Sequence, residues 1–234
     1  MSSNVVVAMD GPSGSGKSST SRGVATRLGL RYLDTGAMYR GVTWWMLRQG
    51  IDVEDAKAVA ARAGEPRLES GTDPSAPTIT VDGTEVSGPI RSREVTAAVS
   101  AVSAVPQVRA VLLRAQRDII GEGGIVVEGR DIGTVVAPAA PVKVYLTADP
   151  NARAVRRSAE LVDGSTAEAT QQDMARRDRL DSGRAHSPLT MADDAHHIDT
   201  TPYSLDEVVE QVVFLVEQAQ ASRARAETTG SARG

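Results

Sequence analysis

Cysteine is absent from this 234-residue chain. Disulfides, Cys-ligated zinc and iron–sulfur clusters are thereby excluded, and a reducing, cytoplasmic setting is expected. Aromatic side chains are scarce, with two Trp, four Tyr and one Phe. A ligand base must then be recognised mainly by polar groups and aliphatic walls, because the stacking platform of single-strand binders is not available. An excess of basic residues is lacking too: 26 Lys and Arg stand against 30 Asp and Glu, a net charge of −4. Proteins that coat DNA or RNA carry a positive field, so nucleic acid is not the expected partner. No apolar run approaches the roughly 20 residues that span a bilayer, and the N-terminus has neither a basic n-region nor an apolar h-region. Neither a membrane nor a secretory route is expected, and a monomer is.

What is present suits a folded α/β chain. A hydrophobic fraction of 41% can fill a core, and the length fits one domain with insertions or two small ones. Val5–Met9 is a short continuous apolar run, as in a strand buried on both faces. A helix is predicted over Lys17–Leu28, closed by Gly29, followed by a strand tip at Tyr32 and Leu33. Further helices are predicted over Ala37–Gln49 and over Val53–Ala63, the latter with Asp52 as its N-cap. From Glu65 to Gly88 the pattern changes: β-branched residues flank Asp82-Gly83, a strong hairpin signal, and a small antiparallel insertion is expected there. Helical pattern resumes near Ser92, and Pro106 opens a new helix. Ile125–Val127, Val142–Leu146 and His197–Asp199 read as strands, and Ala152–Leu161 and Thr166–Asp181 as Arg-rich helices. Ser204 and Glu207 are spaced as a capping box for a last helix. From about Ala221 the periodicity ends, and residues 221–234 are expected to be disordered. Strands alternating with helices imply a parallel sheet flanked by helices.

The chemistry begins at Gly11, Pro12, Ser13, Gly14, Ser15, Gly16, Lys17 and Ser18, which fit G-x-x-x-x-G-K-[ST], with Ser19 following. In such a loop the glycines let successive backbone N–H groups face phosphates, and the following helix adds its positive end. Lys17 is expected to reach the β- and γ-phosphates and Ser18 to place its hydroxyl on Mg²⁺. A buried strand before the loop and a helix after it meet the context test, so ATP or GTP is the expected ligand. The Asn-Lys-x-Asp base reader of GTPases is missing, since the asparagines are Asn4 and Asn151 and neither precedes Lys. The Ser-Gly-Gly signature of transporter ATPases is absent too, which leaves small-molecule kinases as the large remaining class.

Further segments follow in order: Leu33-Asp34-Thr35-Gly36-Ala37-Met38-Tyr39-Arg40, Val86 to Arg91, Pro106 to Arg109, Glu128 to Val136, and Arg177 to Arg184. Together with the phosphate loop they resemble the bacterial cytidylate kinases, a branch of the nucleoside monophosphate kinases, over roughly residues 5–217. The resemblance implies a P-loop core of residues 1–34 and 122–220, with a mobile lid at about 153–165. It also implies a monophosphate-binding domain of residues 35–121, with a β insertion at about 65–88. The implied activity is transfer of the γ-phosphoryl group of Mg-ATP to CMP or dCMP. By the same resemblance Thr35, Arg40, Arg130 and Arg184 hold the acceptor phosphate, and Arg177 and Asp181 reach the ribose side. Lys17, Arg130 and Arg184 would then act in transfer, and Ser100, Arg109 and Asp131 would read the base. Such a reaction gathers several negative charges in one cleft, and arginine forks suit that task.

Several of these residues have plainer readings. Arg153, Arg156 and Arg157 share one helix face and would be lid residues on ATP, or a solvated basic face; Asp163-Gly164 supplies a turn beside them. Asp131 could instead cap a loop. Arg176 and Arg179 are as readily solvated as functional. His186, His196 and His197 lack convincing metal-ligand spacing, and Trp44 and Trp45 read as packing residues. The competing functions are a shikimate- or gluconate-type kinase, a non-catalytic nucleotide-binding regulator and a polynucleotide kinase. The second protein contact to Mg²⁺ is open, with Asp34 a guess.

Overall fold

A computed structural model describes residues 4–160, 167–184 and 187–231. Its core is a five-stranded parallel sheet: β1 (Val6–Asp10), β2 (Arg31–Asp34), β6 (Ile125–Glu128), β7 (Val142–Thr147) and β8 (His196–Asp199), in spatial order β2-β6-β1-β7-β8. Successive β1 side chains serve opposite faces. Val7 and Met9 pack with Val24, Val144, Val209 and Val212 on one side, and Ala8 packs with Leu33, Met38 and Val127 on the other. The first face is covered by α1 (Lys17–Leu28) and α8 (Leu205–Ser231). The second belongs to a larger cluster fed by α2 (Thr35–Arg48), α4 (Arg93–Ala104) and α5 (Pro106–Ile120). Each fully buried aliphatic side chain here contributes about 1.5–3 kcal/mol.

The insertion is a three-stranded antiparallel sheet of β3 (Leu68–Ser70), β4 (Ile79–Val81) and β5 (Thr84–Glu85). Asp82 (φ 50°) and Gly83 (φ 77°) both adopt the left-handed conformation that a two-residue hairpin turn demands. β3 has no β-branched residue, which is why only β4 and β5, on either side of the turn, were legible. The loop after it crosses to the core: Tyr32 N donates to Thr72 O at 2.9 Å and Arg22 Nε to Pro74 O at 2.7 Å. That strap lies along β2, the edge strand of the main sheet.

Helix starts follow local capping. Asp34 Oδ1 accepts from Ala37 N at 2.9 Å, so α2 begins at Thr35 rather than Ala37. The next helix, α3 (Ala56–Arg62), is capped by Asp55 and not by the expected Asp52. Asp52 instead closes a turn onto Glu54 N, and the helix starts a turn later. Ser204 and Glu207 form the reciprocal capping box at the start of α8. That helix continues to Ser231, which corrects the expectation of disorder from Ala221. Between Ala221 and Glu227 every residue but Ser222 is Ala, Arg or Glu, and such residues favour helix without an apolar stripe. Two further helices are α6 (Pro150–Glu160) and α7 (Ala167–Ser182); Asp163-Gly164, where a turn is expected from sequence, lies outside the described residues. Among the described residues no single helix is long and apolar enough to cross a membrane.

Candidate active site

The phosphate loop joins β1 to α1. Gly14 (φ 74°) and Gly16 (φ 85°) take left-handed conformations, and Gly16 caps the helix. A Cβ on Gly14 would stand 2.7 Å from Met174 Cε and 2.9 Å from Arg153 O, so the loop is pressed against α6 and α7. Lys17 is buried and its Nζ donates to Pro12 O at 2.7 Å. Burial, then the Arg130 guanidinium, push its pKa down. An incoming polyphosphate would favour its charged form.

Glu128 ends β6, the strand beside β1, and reaches this loop. Ser18 Oγ donates to its Oε1 at 2.7 Å and Tyr32 Oη at 2.6 Å. Its other oxygen, Oε2, is buried without a hydrogen-bond partner, and burial together with Asp34 pushes its pKa up. A hydroxyl beside an under-satisfied carboxylate is a hard-oxygen pair of the kind Mg²⁺ takes, usually with several waters retained. The residues present therefore fit that ion. Asp34, the guess from sequence, is occupied as the α2 cap and lies 3.9 Å from Arg91. Glu128 was missed because its meeting with Ser18 spans 110 positions. The one available signal was an acidic residue closing the apolar run Ile-Val-Val.

One cleft brings the residues expected to meet an acceptor against the loop. Its lining includes Lys17, Ser18, Ser19, Thr35, Arg40, Ser100, Arg109, Arg130, Asp131, Arg157, Arg177, Asp181 and Arg184. Ser13, Gly14 and Gly16 also face it, whereas Gly11, Pro12 and Ser15 do not. Asp181, buried in α7, is the hub. It accepts from Arg130 Nε at 2.8 Å, and Arg184 Nη2 donates to its other oxygen. Burial opposes its charge, but Arg130 and Arg184 offset this and hold its pKa below the ordinary value. Arg130 also donates to Gly11 O at 2.6 Å, tying the hub to the phosphate loop. Arg40 donates to Ile90 O and Thr96 Oγ1. Burial, then neighbouring guanidiniums, lower the pKa of Arg40 to about 9 and of Arg177 to about 10. The Nε groups of Arg177 and Arg184 are buried and complete no hydrogen bond. Buried, mutually repelling guanidiniums with spare donors are what an anion would satisfy. Thr35 Oγ1 is spent on Glu128 O at 2.7 Å.

Deeper in the cleft, Arg109 and Asp131 form a buried ion pair, their side chains 10% and 7% exposed. Arg109 Nη1 also reaches Ser103 O at 3.3 Å, and its guanidinium lies 5.4 Å from the Tyr39 ring centroid. Arg184 Nη2 donates to Ser103 Oγ at 2.8 Å. The turn that carries Arg130 and Asp131 is anchored by Asp10, whose two oxygens accept from Ile132 N at 2.8 Å and Gly133 N at 2.7 Å. Burial raises the Asp10 pKa to about 6 in spite of those bonds. Tyr39, Arg91 and Ser103 also line the site, and Asp10 supports it, without having been given a role: Tyr39 and Arg91 lie inside quoted segments, whereas no local pattern marks Asp10 or Ser103.

The three arginines of α6 divide. Arg157 lines the cleft. Arg153 donates to Asp178 at 2.5 Å and to Ser13 O at 3.0 Å, and Arg156 donates to Thr200 O at 2.9 Å. Arg176 and Arg179 are exposed. Trp45 is a packing residue whose Nε1 donates to Asp82 at 2.7 Å. His197 pairs with Thr147 at 2.8 Å, His196 is exposed on β8, and His186 lies outside the described residues.

The family model described as cytidylate kinase matches residues 7–218. A cytidylate kinase of Streptomyces avermitilis is 58% identical over 221 residues, 94% of this chain and 95% of its own. One from Streptomyces griseus subsp. griseus is 59% identical over 217 residues, 92% of this chain and 94% of its own. Among solved structures, a gluconokinase from Sinorhizobium meliloti is similar with a TM-score of 0.50 at 15% identity, over 95% of this chain and 97% of its own. That likeness concerns the fold alone. The near-full-length family match and the identities above one half decide the matter: this chain belongs to the cytidylate kinase family.

Proposed function

We propose that the chain transfers the γ-phosphoryl group of ATP, bound with Mg²⁺, to CMP or dCMP. An oxygen of the acceptor phosphate attacks the γ-phosphorus, the bond from that phosphorus to the β–γ bridging oxygen breaks, and CDP or dCDP and ADP leave. The observation that supports this most directly is one cleft running from the phosphate loop to a cluster of guanidiniums and on to the Arg109–Asp131 pair. Its parts match in order a donor, a charged transfer zone and a base.

Each role has a physical reason. The loop amides and Lys17 hold the donor phosphates. Ser18 and Glu128 would hold the ion, which when bound supplies charge neutralisation between the donor phosphates. Arg40, Arg130, Arg177 and Arg184 offset the charge of the acceptor phosphate, and Asp181 keeps Arg130 and Arg184 aimed before substrate arrives. Asp131 accepts from the N4 amino group of cytosine while Arg109 donates to N3 or O2, and Ser100 meets a remaining polar edge. Arg157 faces the cleft already. In the same reading Arg153 and Arg156 exchange Asp178 and Thr200 for ATP when the lid closes, which excludes water from the γ-phosphate.

An acceptor panel tests the proposal. CMP, dCMP, UMP, AMP, GMP, shikimate and gluconate are each supplied with Mg-ATP and ADP release is followed. CMP and dCMP are expected to lead by a wide margin. Release that is independent of acceptor, or fastest with shikimate or gluconate, would sink it.

A further inference from the structure

Glu128 is buried, and its two carboxylate oxygens are treated unequally. Oε1 accepts from two hydroxyls, Ser18 Oγ at 2.7 Å and Tyr32 Oη at 2.6 Å, while Oε2 is buried with no hydrogen-bond partner. A carboxylate held only for packing would have a donor on each oxygen, because a bare buried acceptor costs stability. Two donors on one oxygen do the reverse: they turn the side chain so that the other oxygen stays open. Ser18 belongs to the phosphate loop motif and is exposed, so its hydroxyl can turn to a ligand. Tyr32 is not among the residues that line the cleft.

The Tyr32 phenol is fixed along its whole length. β2 and β6 pair in parallel with Tyr32 opposite Val126 and Asp34 opposite Glu128, so Tyr32 and Glu128 project from the same face of the sheet. The Tyr32 ring is 2% exposed and belongs to the apolar cluster of Val7, Val24 and Val126. Its backbone N–H is spent on Thr72 O at 2.9 Å, where the strap from the insertion crosses the edge strand. A side chain with two torsions, packed this closely, delivers its hydroxyl to one place. We propose that Tyr32 is the positioning residue of the ion site: its phenol holds Oε1 of Glu128 and so keeps the carboxylate turned with Oε2 offered to Mg²⁺. This rests on the reading that Ser18 and Glu128 hold the ion. Without the phenol, Ser18 alone would have to hold the carboxylate and also meet the ion, and ordering Glu128 would weaken binding.

The probe is Mn²⁺, which shares the oxygen ligands of Mg²⁺. Its binding to the full-length protein loaded with ADP is read by EPR, with no turnover. Tyr32→Phe removes one oxygen atom, and Oε1 keeps its bond from Ser18, so the fold should hold, which a melting curve checks. The Kd for Mn²⁺ should rise about tenfold, the scale for losing the partner of a metal ligand. The Kd for ADP without metal should stay within about twofold, because the phosphate loop is untouched. Glu128→Gln should by itself weaken Mn²⁺ about tenfold. In that variant the two hydroxyls hold the amide oxygen, the amide nitrogen takes the place of Oε2, and nitrogen of this kind does not ligate the ion. Tyr32→Phe added to Glu128→Gln should therefore cost less than about a further twofold. Unchanged Mn²⁺ affinity in Tyr32→Phe, with the loss in Glu128→Gln intact, overturns this inference and leaves the ion site standing. Unchanged affinity in Glu128→Gln removes the ion site and this inference with it. A tenfold loss from Tyr32→Phe on both backgrounds, or an equal loss of metal-free ADP binding, would make Tyr32 a support of the phosphate loop and overturn the positioning role.

Discussion

Asp131→Asn separates recognition of the base from mere support of a neighbour. The carboxylate is 7% exposed and pairs with Arg109, itself 10% exposed. Asparagine keeps an oxygen for Arg109 but not the charge. A hydrogen bond to a charged group contributes about 1.5–3 kcal/mol, and breaking a buried pair outright costs about 3–5. Because one acceptor survives, a destabilisation of about 2–3 kcal/mol is expected, or a fall in Tm of about 4–12 °C for a domain of this size. The variant should therefore stay folded at 25 °C. Its selectivity should change more sharply. In the wild-type site uracil would set its O4 against the carboxylate, two acceptors facing each other with no proton between them. A site built for a donor rejects such an analogue by roughly a hundredfold or more. In the variant the amide can donate to O4, so kcat/KM for CMP should fall about a hundredfold while the CMP/UMP ratio narrows by a similar factor. Coupled ADP release with both acceptors measures this, and a melting curve confirms the fold. An equal loss on CMP and UMP with a fixed ratio would refute base reading and leave Asp131 as a support for Arg109.

Lys17→Ala should retain its fold and lose at least about 3 kcal/mol of transition-state stabilisation, a rate drop beyond a hundredfold; near-normal turnover would remove Lys17 from the donor site. Glu128→Gln keeps acceptors for the Ser18 and Tyr32 hydroxyls but should raise the Mg²⁺ concentration for half-maximal rate about tenfold, and an unchanged requirement would detach Glu128 from the ion. Because Arg130 and Arg184 hold the Asp181 pKa below its ordinary value, its stabilising effect is complete above the unfolded pKa of about 3.9 and is lost as pH falls through the folded one. Urea unfolding between pH 5 and 2 should thus show a steeper acid loss in wild type than in Asp181→Asn, and parallel curves would contradict the hub. Ending the chain at Ala221 removes helix whose described side chains are exposed, so Tm should move by less than about 2 °C with activity intact; a fall of several degrees would show that the last turns dock.

Legibility followed the distance over which a signal acts. The phosphate loop, the Asp82-Gly83 turn, Pro106 and the Ser204–Glu207 cap were readable because each is settled within a few residues. The parallel sheet followed from short apolar runs spaced by helices, but not its order, which depends on which strand enters between which. Arg40, Arg130 and Arg184 came from likeness to a family and not from spacing, and the structure places them in one cleft. Glu128, Asp178 and Ser103 were missed for one reason: each meets its partner only after the chain has folded back, Arg153 with Asp178 in the next helix and Ser103 with Arg184 from 81 positions away. The tail was misread because lack of an apolar stripe was taken for lack of helix, whereas the Ala, Arg and Glu residues between Ala221 and Glu227 favour helix by backbone preference.

Asp10 has a mechanical consequence. It is the last residue of the strand that launches the phosphate loop, and its carboxylate grips the two amides that begin the turn after Asp131. The phosphate loop and the turn that carries Arg130 and Asp131 are thus mounted on one side chain. Closure of the lid proposed above would leave that spacing unaltered, much as jaws close on a fixed gauge. The gap between the loop and Arg130 stays set by two hydrogen bonds and a buried carboxylate.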